Sequence, residues 1–257
     1  MDPLVKGETA SLSRISVIVA VRNAEATLAK TLESILSQDY PNKEIILVDG
    51  ASTDRTLEVA RRFRDQLDVF VSEPDKGIAD AYNKGIRRAN GDWIYFLNAD
   101  DLFFRTTTLS ELFRRSLADE DYDLIVGKVL ADDGRLLAGR FTWTLMMRNN
   151  VHHQAIFYRG SLLKSLEYNA AYKRYGHDHE HNLALWKSRA RVLYVETTIA
   201  RWSTDGISNN ARWKDYREEF RARRNVLGRA AWFWNFSTYA RYAIKRTRAA
   251  LRAGSRP

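Results

Sequence analysis

The first hundred residues alternate between short runs of β-branched and aliphatic residues and longer amphipathic segments. Short apolar runs bounded by turn residues are typical of buried strands, whereas apolar residues three or four apart indicate helices. The pattern predicts strands at Ile15–Val21, 44–48, 68–72 and 92–97. It predicts helices at 26–37, from about 53 to 64, and at 78–89. Asn23 is the expected N-cap of the first helix, and Thr53 or Asp54 that of the second.

Alternating strands and helices with short connections indicate parallel βαβ units, so the predicted fold is an open, mostly parallel α/β sheet with helices on both faces. Later in the chain the pattern is less regular, with strands predicted at 124–130, 155–158 and 192–196, a helix at 178–187, and mostly helix from 211. We expect one catalytic domain over residues 1–208 and a helical C-terminal extension over 209–257.

Ligands bind to such sheets beyond the carboxyl ends of the strands. Three polar turns follow predicted strands: Arg22-Asn23, residues 49–54, and residues 98–101. The fold therefore predicts that residues far apart in sequence, including Asp49, lie along one edge and form a site.

The acidic turn Asn98-Ala99-Asp100-Asp101 directly follows an apolar strand. Two adjacent carboxylates there repel each other, and the pKa of at least one rises unless a cation neutralises the pair. Carboxylate oxygens are preferred ligands of Mg²⁺ and Mn²⁺, which complete their shell with substrate phosphates. The motif predicts such a site; the alternative is a helix N-terminus whose dipole favours the acids.

The turn after the second strand begins with Asp49-Gly50-Ala51-Ser52. An acid at a strand end can accept hydrogen bonds from a base or ribose, although the same residues also make an ordinary turn. Neither a G-x-G-x-x-G run nor a G-x-x-x-x-G-K-[ST] loop occurs in the sequence. Dinucleotide-binding Rossmann and P-loop proteins are therefore disfavoured.

The sequence contains no cysteine, which excludes disulfide scaffolds, thiol catalysis and cysteine-based zinc sites. Residues 1–14 lack an apolar run of signal-peptide length, and the longest apolar runs are strand-sized. We therefore expect a cytoplasmic protein that neither spans a membrane nor is secreted.

Positive charge is concentrated at the C-terminus: residues 209–257 contain 13 Lys and Arg and 3 Asp and Glu, against 41 and 32 in the whole chain. Four basic residues at helical spacing fall on one face of a predicted helix, which also carries the aromatic run 232–236, Tyr239 and Tyr242: Arg241, Lys245, Arg248 and Arg252. This composition suits an anionic membrane surface and predicts peripheral attachment to the inner face of the plasma membrane. The alternative is a solvated face whose aromatics pack on the body. Nucleic acid is not expected as a partner, since no such motif occurs and the acidic edge opposes it.

Seven sequence blocks, in this order, together resemble the family 2 glycosyltransferases of bacterial polysaccharide and glycolipid assembly: 16–23, 48–56, 75–85, 91–101, 153–159, 178–182 and 206–209. The resemblance spans roughly residues 14 to 210. It implies a GT-A fold, in which a nucleotide-binding half, at about 14–101, is joined to an acceptor-binding half, at about 102–208. It also implies an inverting, metal-dependent transfer of a hexosyl-type group from a nucleotide sugar, most often a UDP-sugar, to a hydroxyl of a glycan or lipid-linked acceptor.

The resemblance also assigns residues. Asp100 and Asp101 match the family's metal motif, with Asp101 on the Mg²⁺ or Mn²⁺ ion; Asn98 stands where many members have Asp, and we assign it to the ribose or a water. Gly50 stands where many members have a second acid. The matching nucleotide-binding positions are Val19, Ala20, Val21, Asn23, Asp49, Asp75, Gly77, Asp80, Asn83, Asn98, Ala99 and Asp100.

An acceptor hydroxyl must lose its proton as the new bond forms, so a carboxylate base is needed. By resemblance this base is Asp178; judged alone, Asp178 also suits a capping acid at an exposed helix start. His177 and His181, four residues apart, share a helix face, but the sequence contains no H-E-x-x-H motif that would favour zinc. His153 and Gln154 are candidate contacts to the diphosphate or acceptor. Trp202 is a candidate sugar-stacking residue or a plain packing residue.

The predicted function is therefore an inverting glycosyltransferase of cell-surface polysaccharide or glycolipid synthesis. One alternative is a sugar nucleotidyltransferase, which would show a glycine-rich loop with Lys or Arg after the first strand, where this chain has Arg22-Asn23-Ala24-Glu25. The other is a non-catalytic nucleotide- or membrane-binding module.

Overall fold

The computed structural model describes residues 12–113, 121–172, 175–204 and 213–254. Within these residues the strands are Ile15–Val21 (β1), Lys43–Asp49 (β2), Val69–Ser72 (β3), Trp93–Phe96 (β4), Leu102–Phe103 (β5), Leu124–Ala131 (β6), Leu136–Leu137 (β7), Ile156–Arg159 (β8) and Val192–Trp202 (β9). The α-helices are Leu28–Leu36 (α1), Thr56–Arg62 (α2), Ile78–Arg88 (α3), Thr108–Phe113 (α4), Gly160–Ser165 (α5), His177–Lys187 (α6), Trp213–Leu227 (α7) and Ala231–Gly254 (α8).

All described strands belong to one sheet, in the order β3-β2-β1-β4-β8-β6-β9-β5, with β7 paired to β6. β1 pairs in parallel with β2 and with β4, and β2 pairs in parallel with β3, as the alternating sequence pattern predicts. The second half is mixed, because β8 runs antiparallel to both β4 and β6, and β5 runs antiparallel to β9. The first four strands therefore present their carboxyl ends at one edge.

The hydrophobic core lies on both faces of this sheet. Along β1, successive side chains alternate between the two faces, with Val17 and Val19 in one core cluster and Ile18 and Ala20 in the other. Helices α1 and α2 cover the first cluster, and α3 and α6 cover the second. Complete burial of an aliphatic side chain contributes roughly 1.5–3 kcal/mol, so these layers fix the sheet and its edge. The predicted α/β fold with helices on both faces is confirmed.

Neither predicted residue occupies the N-cap position, although Asp54 Oδ1 accepts at 3.0 Å from the amide of Thr56, the first residue of α2. α1 begins at Leu28 with Thr27 as its N-cap residue, and α2 begins at Thr56 with Arg55 in that position. Asn23, with φ 54°, instead accepts a hydrogen bond from the Thr53 amide at 2.9 Å through Oδ1. The loops after β1 and β2 are thus tied together by side-chain to backbone hydrogen bonds.

The C-terminal helices pack on the body through a buried ionic network. Arg223 of α7 is fully buried, and its Nη2 donates to the main-chain oxygen of Met147 at 2.6 Å and to Glu219 at 3.0 Å. Arg241 of α8 also pairs with Glu219. This polar cluster therefore joins α7 and α8 to the main chain at Met147. Over the described ranges, no helix combines the length and the apolar character that crossing a bilayer requires.

Candidate active site

A pocket of about 150 Å³ opens at the carboxyl end of β4. It is lined by Asn98, Asn149, Val151, His152, His153, Gln154, Asp178 and Trp202. The sequence analysis had singled out five of these residues from four separate segments of the chain. The fold brings these segments together because β8 and β9 belong to the same sheet as β4. We call this cavity the β4 pocket.

Asp178 lies in the first turn of α6, and its carboxylate reaches the β4 pocket between two histidines. His153 Nδ1 lies 3.3 Å from Oδ2, and His177 Nε2 lies 3.4 Å from Oδ1. Burial by itself would raise the pKa of Asp178, but the attraction of His177 and His153 outweighs it and holds that pKa well below its usual range. Asp178 is therefore ionised at neutral pH.

His153 connects this carboxylate to the strand-end motif. Its Nε2 lies 3.1 Å from the Tyr82 hydroxyl, which donates to Asn98 Oδ1 at 2.8 Å. Burial lowers the pKa of His153, but Asp178 opposes this and the net pKa is raised. A protonated imidazole donates through both nitrogens, which suits Asp178 on one side and Tyr82 on the other.

Tyr82 was not identified from the sequence. It lies inside the 75–85 block, whose chemistry was assigned to its acidic and amide residues. One feature of the sequence could have identified Tyr82: it falls on the sheet-facing side of α3, and a buried tyrosine hydroxyl needs a hydrogen-bond partner.

The other histidines of α6 serve its packing. Burial lowers the pKa of His179 and His181 to about 4, and their Nε2 atoms lie 2.6 Å and 2.9 Å from the carbonyl oxygens of Leu145 and Leu166. As neutral imidazoles they donate to these carbonyls. Across the described parts of the chain, no set of three or more His, Asp and Glu side chains is arranged to hold a metal ion. A metal at this site would therefore need ligands from a substrate or water.

Asp101 is fully buried and joins three parts of the fold. Its Oδ2 accepts from Gln154 Nε2 at 2.5 Å, its Oδ1 from the Ser203 amide at 2.9 Å, and its main-chain oxygen from Thr31 Oγ1 at 2.9 Å. Burial and the neighbouring Asp100 charge raise the pKa of Asp101 to about 7.

The Ser203 amide, Gln154 and His153 lower the pKa of Asp101, but burial and Asp100 outweigh them. Each carboxylate oxygen of Asp101 keeps a second lone pair. Mg²⁺ and Mn²⁺ are commonly held by one or two carboxylates together with substrate phosphates. Asp100 and Asp101 supply that kind of donor set, so the residues present fit such an ion.

Asp49 belongs to a different network. It is fully buried at the end of β2, where Oδ2 accepts from Ser72 Oγ at 2.7 Å and Oδ1 from the hydroxyl of Ser52, whose amide lies 3.1 Å from Oδ2. Among the described residues, Asp49, Asp100 and Asp101 do not form a group that could hold one metal ion. Asp49 instead fixes the turn that follows β2.

The 75–85 block surrounds the start of α3. The Gly77 amide donates to Asp75 Oδ1 at 2.9 Å, and the Lys76 amide donates to Asp80 Oδ2 at 3.0 Å. Asn83 is only 3% exposed, and both its polar atoms bond the backbone of Tyr168. Asp75, Gly77 and Asp80 thus lie at the edge, whereas Asn83 fastens α3 to the second half.

The other expected nucleotide contacts are buried strand and turn residues. The side chains of Val19, Ala20 and Val21 lie in the core, as does that of Ala99. On the β4 side, the pairing of β1 ends at Ile18, so the backbone of the last three residues of β1 extends past that strand. Contacts from these residues would therefore come from their backbone.

Trp202 ends β9, and its ring centroid lies 4.8 Å from that of His152 at the β4 pocket. Its position suits a ligand contact as well as packing. The predicted block 206–209 lies outside the described residues.

Comparison with known proteins agrees with this architecture. The family model "Glycosyl transferase family 2" matches residues 16–236. A "PGL/p-HBAD biosynthesis glycosyltransferase" of Mycobacterium bovis (strain BCG / Pasteur 1173P2) is 32% identical over 214 residues, which cover 78% of this chain and 81% of the relative. The "Putative glycosyltransferase EpsE" of Bacillus subtilis is 41% identical over 95 residues, 35% of this chain and 34% of the relative.

Solved structures share the fold. S. aureus TarS superposes with a TM-score of 0.67 at 20% identity, over 83% of this chain and 39% of TarS, so this chain spans about two fifths of that protein. TarS 1–349 in complex with UDP-GlcNAc gives a TM-score of 0.67 at 19% identity, covering 83% of this chain and 65% of that one. The mannosyltransferase PcManGT from Pyrobaculum calidifontis, in complex with GDP-Man and Mn²⁺, gives 0.60 at 19% identity over 96% and 80% of the two chains. Since the family model matches most of its length, the chain belongs to glycosyltransferase family 2.

Proposed function

We propose that this protein is an inverting glycosyltransferase that moves a sugar from a nucleoside-diphosphate sugar to a hydroxyl of a glycan or lipid-linked acceptor. The observation that carries the proposal is Asp178, a carboxylate that lies between His153 and His177 and lines the β4 pocket together with Asn98. The PGL/p-HBAD biosynthesis glycosyltransferase of Mycobacterium bovis and the UDP-GlcNAc complex of TarS support it. Family membership gives no support to a sugar nucleotidyltransferase or a non-catalytic module.

In the proposed reaction the acceptor oxygen forms a bond to the anomeric carbon from the face opposite the diphosphate. The bond from that carbon to the diphosphate oxygen breaks, and the nucleoside diphosphate leaves with the electron pair. Asp178 takes the hydroxyl proton, and inversion follows because there is one displacement. A positioned base of this kind contributes ~10²–10⁴ in rate.

His153 has two tasks in this scheme. Its positive charge lowers the pKa of Asp178 and attracts the carboxylate, and its contact with Tyr82 links it to Asn98. Asp178 and Asn98 are thereby held in fixed positions relative to each other. Asp100 and Asp101 would hold a Mg²⁺ or Mn²⁺ ion, which when bound neutralises charge on the leaving diphosphate.

We propose a UDP-sugar as the donor, following the TarS complexes with UDP-GlcNAc and UDP. The β1 backbone beyond Ile18, Asp75, Gly77 and Asp80 lie along the edge that would receive the nucleotide. Gln154 and Trp202 face the β4 pocket and would contact the diphosphate or the acceptor.

The test of the proposal is the release of nucleoside diphosphate from candidate sugar nucleotides with Mg²⁺ or Mn²⁺. Asp178→Asn should lower turnover by ~10²–10⁴ while leaving nucleotide binding intact, because the carboxamide keeps the shape but cannot take a proton. Asp133→Asn is the matched control, since Asp133 is an exposed acid paired with Arg135. Full turnover by Asp178→Asn would rule out its role as the base.

We also propose that α8 attaches the enzyme to an anionic membrane surface on the cytoplasmic side. Trp232, Phe233 and Phe236 are 75%, 66% and 61% exposed, and no acidic residue follows Glu219 in the sequence. Aromatic side chains beside basic residues suit the headgroup zone. Such attachment would place the β4 pocket near a lipid-linked acceptor.

The structure also changes this prediction in part. Arg241 was expected on the membrane-facing side, but it pairs with Glu219 and bonds the Met147 carbonyl at 3.2 Å. Trp234 likewise packs near Trp143, with ring centroids 6.1 Å apart. The side chains of Arg248 and Arg252 lie outside the described residues. Part of the extension is thus committed to the body, and the exposed aromatics form the proposed membrane face.

Sedimentation with vesicles of phosphatidylserine and phosphatidylcholine tests this face. The pair Phe233→Ser and Phe236→Ser should weaken binding at least tenfold, because each buried aromatic contributes roughly 1.5–3 kcal/mol. Leu136→Ser is the control, since Leu136 is 53% exposed and lies outside α8. Equal loss in both proteins, or none in either, would count against α8 as the membrane face.

A further inference from the structure

Asn149 lines the β4 pocket from the connection between β7 and β8, and it has no role in the reaction described so far. Its side chain is oriented by Asn182, which belongs to α6 and is only 1% exposed. Asn182 Nδ2 lies 2.9 Å from Asn149 Oδ1 and 3.1 Å from the main-chain oxygen of Val151. The direction of the Asn149 amide is therefore set by α6.

The chemistry of these contacts fixes which end of the Asn149 amide faces the pocket. A main-chain oxygen only accepts hydrogen bonds, so the Asn182 atom that faces Val151 is the amide nitrogen. An amide nitrogen only donates, so the Asn149 atom beside it is the oxygen. Asn149 Nδ2 consequently lies on the side away from Asn182, and among the described residues it has no acceptor. Asn149 thus offers N–H donors to a molecule in the pocket.

The same helix places this donor beside the proposed base. Asn182 follows Asp178 by one helical turn, so the two side chains share a face of α6, with Cβ atoms roughly 5–6 Å apart. Asp178 accepts the proton of the reacting hydroxyl, and Asn182 holds the Asn149 donor next to it. A molecule that gives a proton to Asp178 can therefore accept a hydrogen bond from Asn149 on a neighbouring oxygen. Hydroxyls on adjacent carbons have this arrangement.

The rest of the pocket also suits an uncharged group with several hydroxyls. Burial and the charge of His153 lower the pKa of His152 to about 4, so its imidazole is neutral and has one donor and one acceptor nitrogen. Among the described residues, neither nitrogen has a hydrogen-bond partner. No lysine or arginine among those residues lines the pocket, so a phosphate would meet the Asp178 carboxylate without a cation to neutralise it.

Resting on the proposed transfer to a hydroxyl, we infer that Asn149 is a specificity-determining residue whose amide donates to the oxygen next to the reacting hydroxyl of the acceptor. The group that enters the pocket is then a saccharide with two adjacent hydroxyls, and not the lone hydroxyl of a lipid or phenol. A lone hydroxyl would satisfy Asp178 but leave the Asn149 donor without a partner. Asn182 is a positioning residue, since it acts through Asn149.

The test measures nucleoside diphosphate release from the sugar nucleotide that the wild type uses, in the presence of Mn²⁺. The added acceptors are octyl α-mannoside, octyl β-galactoside, octyl β-glucoside and octan-1-ol. At least one glycoside should raise release above the rate without acceptor, and octanol should not. Monodeoxy derivatives of the active glycoside then locate the reacting hydroxyl. Removal of its neighbour should lower kcat/KM about two- to tenfold, the worth of one neutral hydrogen bond.

Asn149→Ala should lower kcat/KM for the intact glycoside by the same factor and should no longer distinguish it from the deoxy derivative. Asn182→Ala should act in the same way, mainly on the KM for the acceptor, and should add little in the Asn149→Ala background. Asn150→Ala is the matched control, since Asn150 lies on the same connection but does not line the pocket, and its Nδ2 bonds Thr144 Oγ1 at 3.2 Å. Calorimetric affinity for the nucleoside diphosphate should be kept in every variant, which separates loss of this contact from unfolding.

The outcomes distinguish failure of this contact from failure of the proposed function. If Asn149→Ala discriminates against the deoxy derivative as the wild type does, or Asn150→Ala loses discrimination equally, Asn149 does not make the contact. If octanol raises release as strongly as the glycosides, or no glycoside raises it, the saccharide assignment is overturned. In these cases release that depends on Asp178 would keep the proposed function. If the wild type releases no nucleoside diphosphate from any sugar nucleotide, the proposed function and the inference fail together.

Discussion

Replacing His153 by Gln tests the residue of the β4 pocket that contacts both Asp178 and Tyr82. Gln keeps a hydrogen-bonding side chain of similar reach but cannot carry a positive charge. In the wild type, His153 Nδ1 lies 3.3 Å from Asp178 Oδ2, in a pocket where the histidine side chain is 12% exposed. The substitution therefore removes the positive charge of His153 from beside Asp178, while His177 Nε2 remains 3.4 Å from Asp178 Oδ1.

The size of the effect follows from that contact. A hydrogen bond to a charged group contributes roughly 1.5–3 kcal/mol, and one pKa unit corresponds to about 1.36 kcal/mol. The pKa of Asp178 should therefore rise by about one to two units in His153→Gln. Because Asp178 starts well below its usual range, it stays ionised at pH 7. The loss of kcat/KM at pH 7 should then be modest, about tenfold, and come from poorer positioning.

The pH profile of kcat/KM, measured by nucleoside diphosphate release, distinguishes this account from a structural one. In the wild type, activity that needs protonated His153 is present below its pKa, which lies above the usual 6.5, and is lost as the pH rises through it. His153→Gln should lack this alkaline loss and should lose activity earlier on the acid side. A variant profile that parallels the wild type at every pH would refute the electrostatic role of His153.

Three further outcomes are expected. Mn²⁺ affinity, measured by calorimetry, should rise about tenfold per pH unit between roughly pH 5 and 7 and then level off, because Asp101, with a pKa of about 7, must lose its proton to hold the ion. An affinity that does not change with pH would show that Asp101 is not a metal ligand. Tyr82→Phe should lower kcat/KM about two- to tenfold, the worth of a neutral hydrogen bond, since the hydroxyl joins His153 to Asn98; unchanged kinetics would show that this link is dispensable. Glu219→Gln should destabilise the fold by about 3 kcal/mol, or roughly 6–12 °C in Tm, because it leaves buried Arg223 without its ion pair. Thermal denaturation of Glu219→Gln beside Asp133→Asn checks this, and equal melting temperatures would contradict it.

The first two strands of the parallel half were predictable because they are long, apolar and almost wholly buried. β1 and β2 are seven residues each, and their predicted bounds differ from the structure by no more than one residue. The strands of the second half were harder to predict from the sequence. β5 and β7 have two residues each, too few to show any period. β9 was predicted to end at 196 but continues to Trp202, because its polar residues mask the strand pattern.

The candidate site shows the same division. Asn98, His153, Gln154 and Asp178 were identified because whole sequence blocks resemble a known family, and the structure places them around one pocket. Contacts that depend on three-dimensional packing left no such signal. The amide that bonds Asp101 belongs to Ser203, 102 positions away. The carboxylate that lies next to Gly50 belongs to Asp75, on the connection between β3 and α3.

Most of the β4 pocket lining comes from one connection, that between β7 and β8, which contributes Asn149 and residues 151–154. Both ends of this connection are anchored, since β7 pairs with β6 and β8 pairs with both β6 and β4. Leu145 and Met147, in the middle of the same connection, accept hydrogen bonds from His179 of α6 and Arg223 of α7. The wall of the pocket and the packing of the C-terminal helices therefore share one segment, so an insertion or deletion between 138 and 148 would disturb both, whereas side-chain substitutions at Asn149 or His152 would alter the pocket alone.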